Sequence, residues 1–504
     1  MRTAFNRVTL LKWTLAAAAF TTCSVVLHAQ DLNQPEFVQI DMTGTWKPFP
    51  HFWETMFGSG RANLSLRDDY RGDLRATKQA TGFTFVRFHA ILDDENGVYD
   101  VNSQSQPIYN FSYVDQIYDG LLENGVKPFV EISFMPRKLA ANLTPHPFWY
   151  KPLPSPPNDP AKWSALIEAF TRHLEDRYGK DEVQSWYFEV WNEPNIDFWD
   201  GVPKKETYFA LYDVTAKAIK DVDATLRVGG PATAQAAWVD EFIAHCASNH
   251  IALDFVSSHI YGNENPVDVF GKSMPILRRD MVGAAVKKVY DQVQASAFPR
   301  MPIIWSEYNA TYMNQPEVTD SAFIGPWLAN NIRECDGMTS MMSYWTFSDV
   351  FEEQGVVKTP FYGGYGLIAE RGIPKAAFHV FSLLHQLGDE RLLLPQEDTL
   401  VTRTKQGHVV VALWNYAEPN QSIAAKTFML RVRGAKAKHY RMQIVDPQHG
   451  SALAIWQQMG RPASPTRAQI AELKKRSQLG EPVTETIDAP ITVPAQGLVV
   501  ITIF

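Results

Sequence analysis

Between about residues 50 and 388, eight short apolar runs alternate with eight longer amphipathic stretches. The runs end near Phe57, His89, Ile132, Trp191, Gly229, His259, Trp305 and Trp345. The stretches cover roughly 63–80, 112–124, 160–178, 205–223, 236–249, 277–294, 318–334 and 375–387. The third shows the helical period: Leu166, Ile167, Phe170 and Leu174 fall on one face, and Glu168, Arg172, Glu175 and Arg177 on the other. Gly82, Gly125 and Gly179 supply helix stops. Eight strand–helix repeats in about 340 residues are the count and size of an α/β fold of one kind, the (β/α)8 TIM barrel.

After about residue 390 the pattern changes to short β-type runs separated by turn residues: Leu400–Thr404, Val409–Trp414, Thr427–Val432 and Leu498–Phe504. They predict an appended β-sandwich, interrupted by a helical pattern over 465–477. Phe37–Met42 also reads as a strand, placed to join that sandwich from the other end of the chain. The expected division is therefore 30–49 for an N-terminal strand segment, 50–388 for the barrel and 389–504 for the sandwich. A length of 504 residues suits one large domain with a smaller one.

Residues 1–29 read as a secretory signal peptide. Arg2, Arg7 and Lys12 precede an apolar, Ala-rich run from Trp13 to Leu27, and Ala29 offers a small residue at the cut. Thr21, Thr22 and Ser24 interrupt a run already short for a membrane span. The expectation is an exported protein, periplasmic or extracellular, with no membrane insertion once the signal is removed. Cys23 as a lipid-attachment site has poor support, because Phe20-Thr21-Thr22 precedes it. Cys246 and Cys335 lack CxxC or HxxxH neighbours, so no metal and no cofactor are expected, and two buried thiols are favoured over a disulfide. A net charge of −8 argues against nucleic acid as a partner. Oligomeric state is left open.

Two runs stop at polar clusters that each hold one carboxylate, Phe188-Glu-Val-Trp-Asn-Glu-Pro-Asn195 and Ile303-Ile-Trp-Ser-Glu-Tyr-Asn309. Glu193 and Glu307 would stand at the mouth ends of strands four and seven. One Glu after a strand is usually a loop ion pair. Two of them over one barrel mouth suit hydrolysis of a glycosidic bond, which needs an acid beside the leaving oxygen and a carboxylate at C1, about 5–5.5 Å apart in the retaining route. One must hold its proton near neutral pH and the other must be ionised, which burial and neighbouring charge arrange. The long segments 135–158 (with Phe148, Trp149 and Tyr150), 260–275 and 346–374 read as binding loops above that mouth.

Trp191-Asn-Glu-Pro-Asn195, with a Glu on strand seven, resembles the signature of the clan A glycoside hydrolases. Within that clan the chain resembles glycoside hydrolase family 39, the β-xylosidases and α-L-iduronidases, over most of residues 37–504. The resemblance includes Phe57-Gly-Ser-Gly-Arg61, Val86-Arg-Phe-His89, Asn192-Glu-Pro-Asn-Ile-Asp-Phe-Trp199, Asp254-Phe-Val-Ser-Ser-His-Ile-Tyr261, Trp305-Ser-Glu-Tyr-Asn309 and Tyr344-Trp-Thr-Phe-Ser-Asp-Val-Phe-Glu-Glu353. It implies that Glu193 is the acid/base and Glu307 the nucleophile, with Asn192 on the sugar 2-hydroxyl. His259 and Tyr261, two apart on strand six, would both point into the mouth, Tyr261 orienting Glu307. His89 would bind substrate, Trp345 would stack on the sugar, Glu352 and Glu353 would hold hydroxyls at the closed end, and Phe198 would lie toward the aglycone.

Tyr261 matches the β-xylosidase pattern, whereas the iduronidases carry a basic residue there. The resemblance thus implies a retaining, exo-acting β-D-xylosidase whose partner is an oligosaccharide or glycoside. The alternatives are another retaining glycosidase of the family (α-L-arabinosidase, β-galactosidase or β-glucosidase, or an endo-acting polysaccharide hydrolase) and, remotely, a carbohydrate-binding protein without catalysis. The presence of both carboxylates argues against the last.

Overall fold

The structure is a computed structural model that describes residues 34–434 and 437–504. The segment read as a signal peptide, with Cys23, lies outside the described residues.

Eight parallel strands close into a barrel in sequence order. They are Met56–Gly58, Phe85–Arg87, Lys127–Ile132, Tyr187–Val190, Arg227–Thr233, Phe255–Tyr261, Ile303–Asn309 and Met341–Tyr344, numbered one to eight below. This agrees with the expected (β/α)8 fold. The helix Pro160–Tyr178 shows how the sequence sets these elements. Asp159 accepts the Ala161 N–H at its start, proline occupies the first turn, and the chain leaves at Gly179 with φ +83°. Trp163, Leu166, Ile167, Phe170 and Leu174 are its buried face.

Inside the barrel the side chains stack in layers, as the two-residue period of a strand requires. Met56, Phe85, Phe129, Phe255, Ile304 and Met341 form an apolar floor. Two residues further along, strands two, three and four present Arg87, Glu131 and Glu189, all buried. The floor excludes water from below, so charges in the second layer are forced to partner one another.

Strands five, six and seven run past their expected ends, to Thr233, Tyr261 and Asn309. Polar residues such as Ser257, Ser258, His259 and Ser306 break the apolar run while the backbone ladder continues. Between strands six and seven the register shifts: Ser258 pairs with Trp305 and His259 with Glu307, leaving Ser306 as an extra residue. A bulge of this kind bends the strand and re-aims the next side chain.

A seven-stranded sheet holds, in spatial order, Trp46–Pro48, Glu390–Leu392, Thr399–Arg403, Val409–Asn415, Gly497–Ile503, His439–Val445 and Val483–Thr486. A three-stranded sheet holds Glu36–Asp41, Lys426–Arg433 and Ile491–Val493, with Glu36–Asp41 running parallel to Lys426–Arg433. Alternation divides the two faces of the larger sheet. Val409, Val411, Leu413, Val499, Ile501 and Ile503 pack with Val38, Ile40, Phe428 and Leu430 of the smaller sheet. Val410, Ala412, Trp414, Leu498 and Val500 instead join the barrel core. Gly325, in the helix Ile324–Cys335, permits that contact, since a Cβ there would lie 3.2 Å from Leu498. Cys246 and Cys335 are separate buried thiols. Among the described residues no helix is long and apolar enough to cross a membrane.

Candidate active site

Glu193 stands where strand four has just ended, in a turn that few side chains tolerate. Trp191 and Glu193 have φ of +74° and +43°. Such backbone persists only where its surroundings over-determine it. Here the Trp191 N–H donates to Ile132 O at 3.2 Å, the Glu193 N–H to Ala232 O at 2.8 Å, and the Trp191 indole to Phe198 O at 2.7 Å. The turn is tied to strands three and five on either side, which fixes the Glu193 carboxyl over the mouth.

Glu307 follows the Ser306 bulge. Arg87 Nη1 donates to its Oε1 at 2.7 Å and the Tyr261 hydroxyl to its Oε2 at 2.6 Å. Arg87 is the hub beneath the site. It also donates to Glu189 at 2.6 Å and to Asn192 Oδ1 at 3.0 Å, and pairs with Glu131 at 2.8 Å. One planar guanidinium thus satisfies carboxylates from strands three, four and seven, a geometry that an ammonium lacks.

One oxygen of Glu193 and one of Glu307 lie within 4.8 Å of each other and of a His259 nitrogen. That separation suits a retaining pair and falls short of the roughly 6.5–9.5 Å between the carboxyls of an inverting pair. Burial, then the charges of Glu307 and Glu264, hold the Glu193 carboxyl well above the usual carboxylate range. Glu307, by contrast, receives a guanidinium and a phenol hydroxyl. The arrangement separates a proton-holding carboxyl from one fixed by two donors, which is the division that acid and nucleophile require.

The cleft above them is about 390 Å³. His89, Trp345, Glu353 and Tyr365 line it from strands two and eight and the loop after eight, and Phe148 and Phe198 from the loops after strands three and four. Asn192, Tyr261, Gln235, Glu264 and Tyr312 line it from strands four to seven and their loops, and neither Lys nor Arg lines it. His89 Nδ1 lies 2.7 Å from Glu131, and its Nε2 lies 3.7 Å from both Glu307 and Glu353. Burial alone would lower its pKa, but the Glu131 carboxylate outweighs this and raises it. The Trp345 ring packs on His89 at 4.9 Å, and Gly58 makes room for it, since a Cβ there would sit 2.1 Å from the indole. Burial pushes Glu353 up to about 8, with the charge of Glu307 adding to the shift. Phe198 stacks on His146 at 4.2 Å.

Two expected substrate contacts need correction. Glu352 does not line the cleft. It takes Arg67 on one oxygen at 2.6 Å and Arg61 on the other at 3.2 Å, and these cations outweigh burial to lower its pKa. Adjacent side chains in this non-helical loop diverge, so only Glu353 turns inward. His259 is fully buried beside Glu193 rather than lining the cleft. Its Nδ1 lies 2.9 Å from Glu193 Oε1 and its Nε2 lies 3.1 Å from the Ser306 hydroxyl. Burial, with Arg87 and His89 nearby, lowers its pKa well below the usual range. The neutral ring can pass its proton to either side, because the Ser306 hydroxyl accepts or donates.

The loop after strand eight, which carries Glu353, is anchored from below. Lys375 Nζ donates to Asp320 at 2.8 Å, Asp349 at 2.9 Å and Gly364 O at 2.8 Å, all buried. Two His/Glu groups among the described residues are compact enough to suggest a cation. In Glu193, His259 and Glu307, both oxygens of Glu307 are already engaged by Arg87 and Tyr261. In the second, His51 and His385 approach one Glu54 oxygen at 2.5 and 2.8 Å. That is hydrogen-bond spacing, shorter than the roughly 3.3 Å between ligands in a tetrahedral zinc site.

The glycosyl hydrolases family 39 profile matches residues 36–499. A β-xylosidase of Geobacillus stearothermophilus is 37% identical over 436 residues, covering 84% of this chain and 86% of that one. Among solved structures, a GH39 β-xylosidase from Caulobacter crescentus aligns with a TM-score of 0.81 at 33% identity, covering 93% of this chain and 99% of that one. The GH39 enzyme from Xanthomonas axonopodis pv. citri aligns at 0.85 and 32%, covering 95% and 99%.

Proposed function

This chain belongs to glycosyl hydrolase family 39, and from that premise we propose that it is a retaining β-D-xylosidase releasing xylose from non-reducing ends. The observation that carries the mechanism is the approach of Glu193 and Glu307 to within 4.8 Å, one with a raised pKa and the other held by Arg87 and Tyr261. Glu307 attacks C1 while Glu193 gives its proton to the leaving oxygen. A glycosyl ester on Glu307 results. Glu193, now ionised, then takes a proton from a water that attacks C1 and frees Glu307. His259 accompanies Glu193 through both proton transfers. The sugar assignment draws on the similarity to β-xylosidases and on the lining of the cleft. With four carboxyl groups and no lysine or arginine lining it, the cleft suits a neutral sugar and disfavours a uronate. Arg2, Arg7 and Lys12 ahead of the apolar run support export as the setting.

A panel of 4-nitrophenyl glycosides tests the sugar. The β-D-xyloside is expected to be the fastest, and xylohexaose to release xylose from the start. Turnover of another glycoside with none on the xyloside would overturn the sugar and spare the mechanism. Early mixtures of internal fragments would overturn exo action.

Glu193→Gln tests the acid. The raised pKa means that activity is lost as pH rises and Glu193 loses its proton, so the variant should lose the alkaline limb of the pH profile. Its kcat/KM should fall by about 10²–10⁴ on xylobiose and little on 2,4-dinitrophenyl β-xyloside, whose leaving group needs no proton. An unchanged alkaline limb would assign the acid elsewhere.

A further inference from the structure

The cleft wall formed after strands five, six and seven supplies no reacting group to the steps above. Gln235, Glu264 and Tyr312 come from those three loops and face the cleft together. Gln235 Nε2 donates to Glu264 Oε2 at 3.2 Å. Tyr312 is 49% exposed, so part of its aromatic surface is open, and its ring stands perpendicular to that of Tyr261 at 6.1 Å.

The loop that presents Gln235 is held in an unusual conformation. Ala232, Gln235, Ala236 and Trp238 all have φ between +52° and +62°. Four left-handed non-glycine residues within seven positions, from the end of strand five into this loop, are a strained arrangement of the kind that gathers at ligand sites. Asn195 clamps the turn. Its Oδ1 accepts the Ala234 N–H at 2.9 Å and its Nδ2 donates to Ala234 O at 3.1 Å. Asn195 lies two residues beyond Glu193, so the clamp fixes Gln235 relative to the acid.

The acid must stand beside the leaving oxygen, so the leaving group lies on the Glu193 side. Going round the barrel from Glu193, the next loops are those carrying Gln235 and Glu264, whereas His89, Trp345 and Glu353 come from strands two and eight on the other side. We infer that Gln235, Glu264 and Tyr312 form the subsite for the leaving sugar, a neutral pyranose whose hydroxyls meet the Gln235–Glu264 pair and whose apolar face lies on Tyr312. Asn195 is a positioning residue for it. The inference rests on the acid role proposed for Glu193. Burial raises Glu264 to about 7, so near neutral pH its carboxyl can donate as well as accept.

The test compares xylobiose, which places a sugar in this subsite, with 4-nitrophenyl β-xyloside, which does not. Gln235→Ala should lower kcat/KM on xylobiose about tenfold and change the aryl xyloside less than about threefold. Tyr312→Ala should raise KM on both, because a nitrophenyl ring stacks as a sugar does, and its half-exposed ring makes misfolding an unsuitable explanation. Equal losses on both substrates for Gln235→Ala, or an unchanged xylobiose-to-aryl ratio, would overturn the subsite while leaving the β-xylosidase intact. A wild type that turns over neither xyloside would overturn the β-xylosidase, and this subsite with it.

Discussion

Glu307→Gly is expected to stay folded and to lose hydrolysis of an aryl β-xyloside by about 10⁴-fold or more. Without the Glu307 carboxylate no covalent intermediate forms, and the remaining contacts only bind. The fold should tolerate the loss. Arg87 would still pair with Glu131 and Glu189, and the cluster, which holds more carboxylates than cations, sheds one negative charge. The checks are kcat/KM and a thermal melt. Near-wild-type turnover by a pure variant would mean that another group attacks C1.

Arg87→Lys is expected to damage both stability and activity. Arg87 is fully buried, pairs with Glu131 and donates to Glu189, Glu307 and Asn192. Glu131 and Glu189 lie opposite each other on neighbouring strands, where like charges repel unless a cation stands between them. An ammonium has three donors and no fork, so at least one acceptor loses its partner in a site walled from water. Breaking a buried pair costs about 3–5 kcal/mol. The denaturant midpoint should fall accordingly, and kcat with it, since Glu307 loses the donor that holds Oε1. A wild-type midpoint would show that the guanidinium geometry is dispensable.

The barrel was legible because its helices carry a 3.6-residue period and its strands are apolar runs. The helix Pro160–Tyr178 matches its expected bounds residue for residue. The strand ends were harder to read. On strands six and seven the last residues are polar, and a bulge at Ser306 leaves no mark in composition. In the sandwich, Glu390–Leu392, His439–Val445, Val483–Thr486 and Ile491–Val493 went unread. They are short or mixed in polarity, and their pairing is decided by a neighbouring strand rather than by their own pattern.

At the site, Glu193 and Glu307 could be found because each ends a β-favouring run. Arg87, Glu131 and Glu189 were open to the same logic: a charge inside an apolar strand needs a partner on the next one. Which of Glu352 and Glu353 faces the cleft depends on how a loop turns, and adjacent identical residues carry no signal of it. His259 illustrates the same limit in another way. Two residues apart on a strand does give a shared face with Tyr261, but depth along the barrel puts Tyr261 in the cleft and His259 beside Glu193. Gln235, Glu264 and Tyr312 come from three separate loops that only the closed barrel brings together.

The configuration of the azide formed from a β-xyloside separates the two carboxyl roles most directly. In Glu307→Gly, azide fills the vacated space and attacks C1 on the face opposite the leaving group, giving α-xylosyl azide. In Glu193→Ala, azide intercepts the ester on Glu307 and gives β-xylosyl azide. An α product from the first variant and a β product from the second are expected by NMR. The reverse pairing, or no azide product from either, would contradict retention through Glu307 with Glu193 as acid.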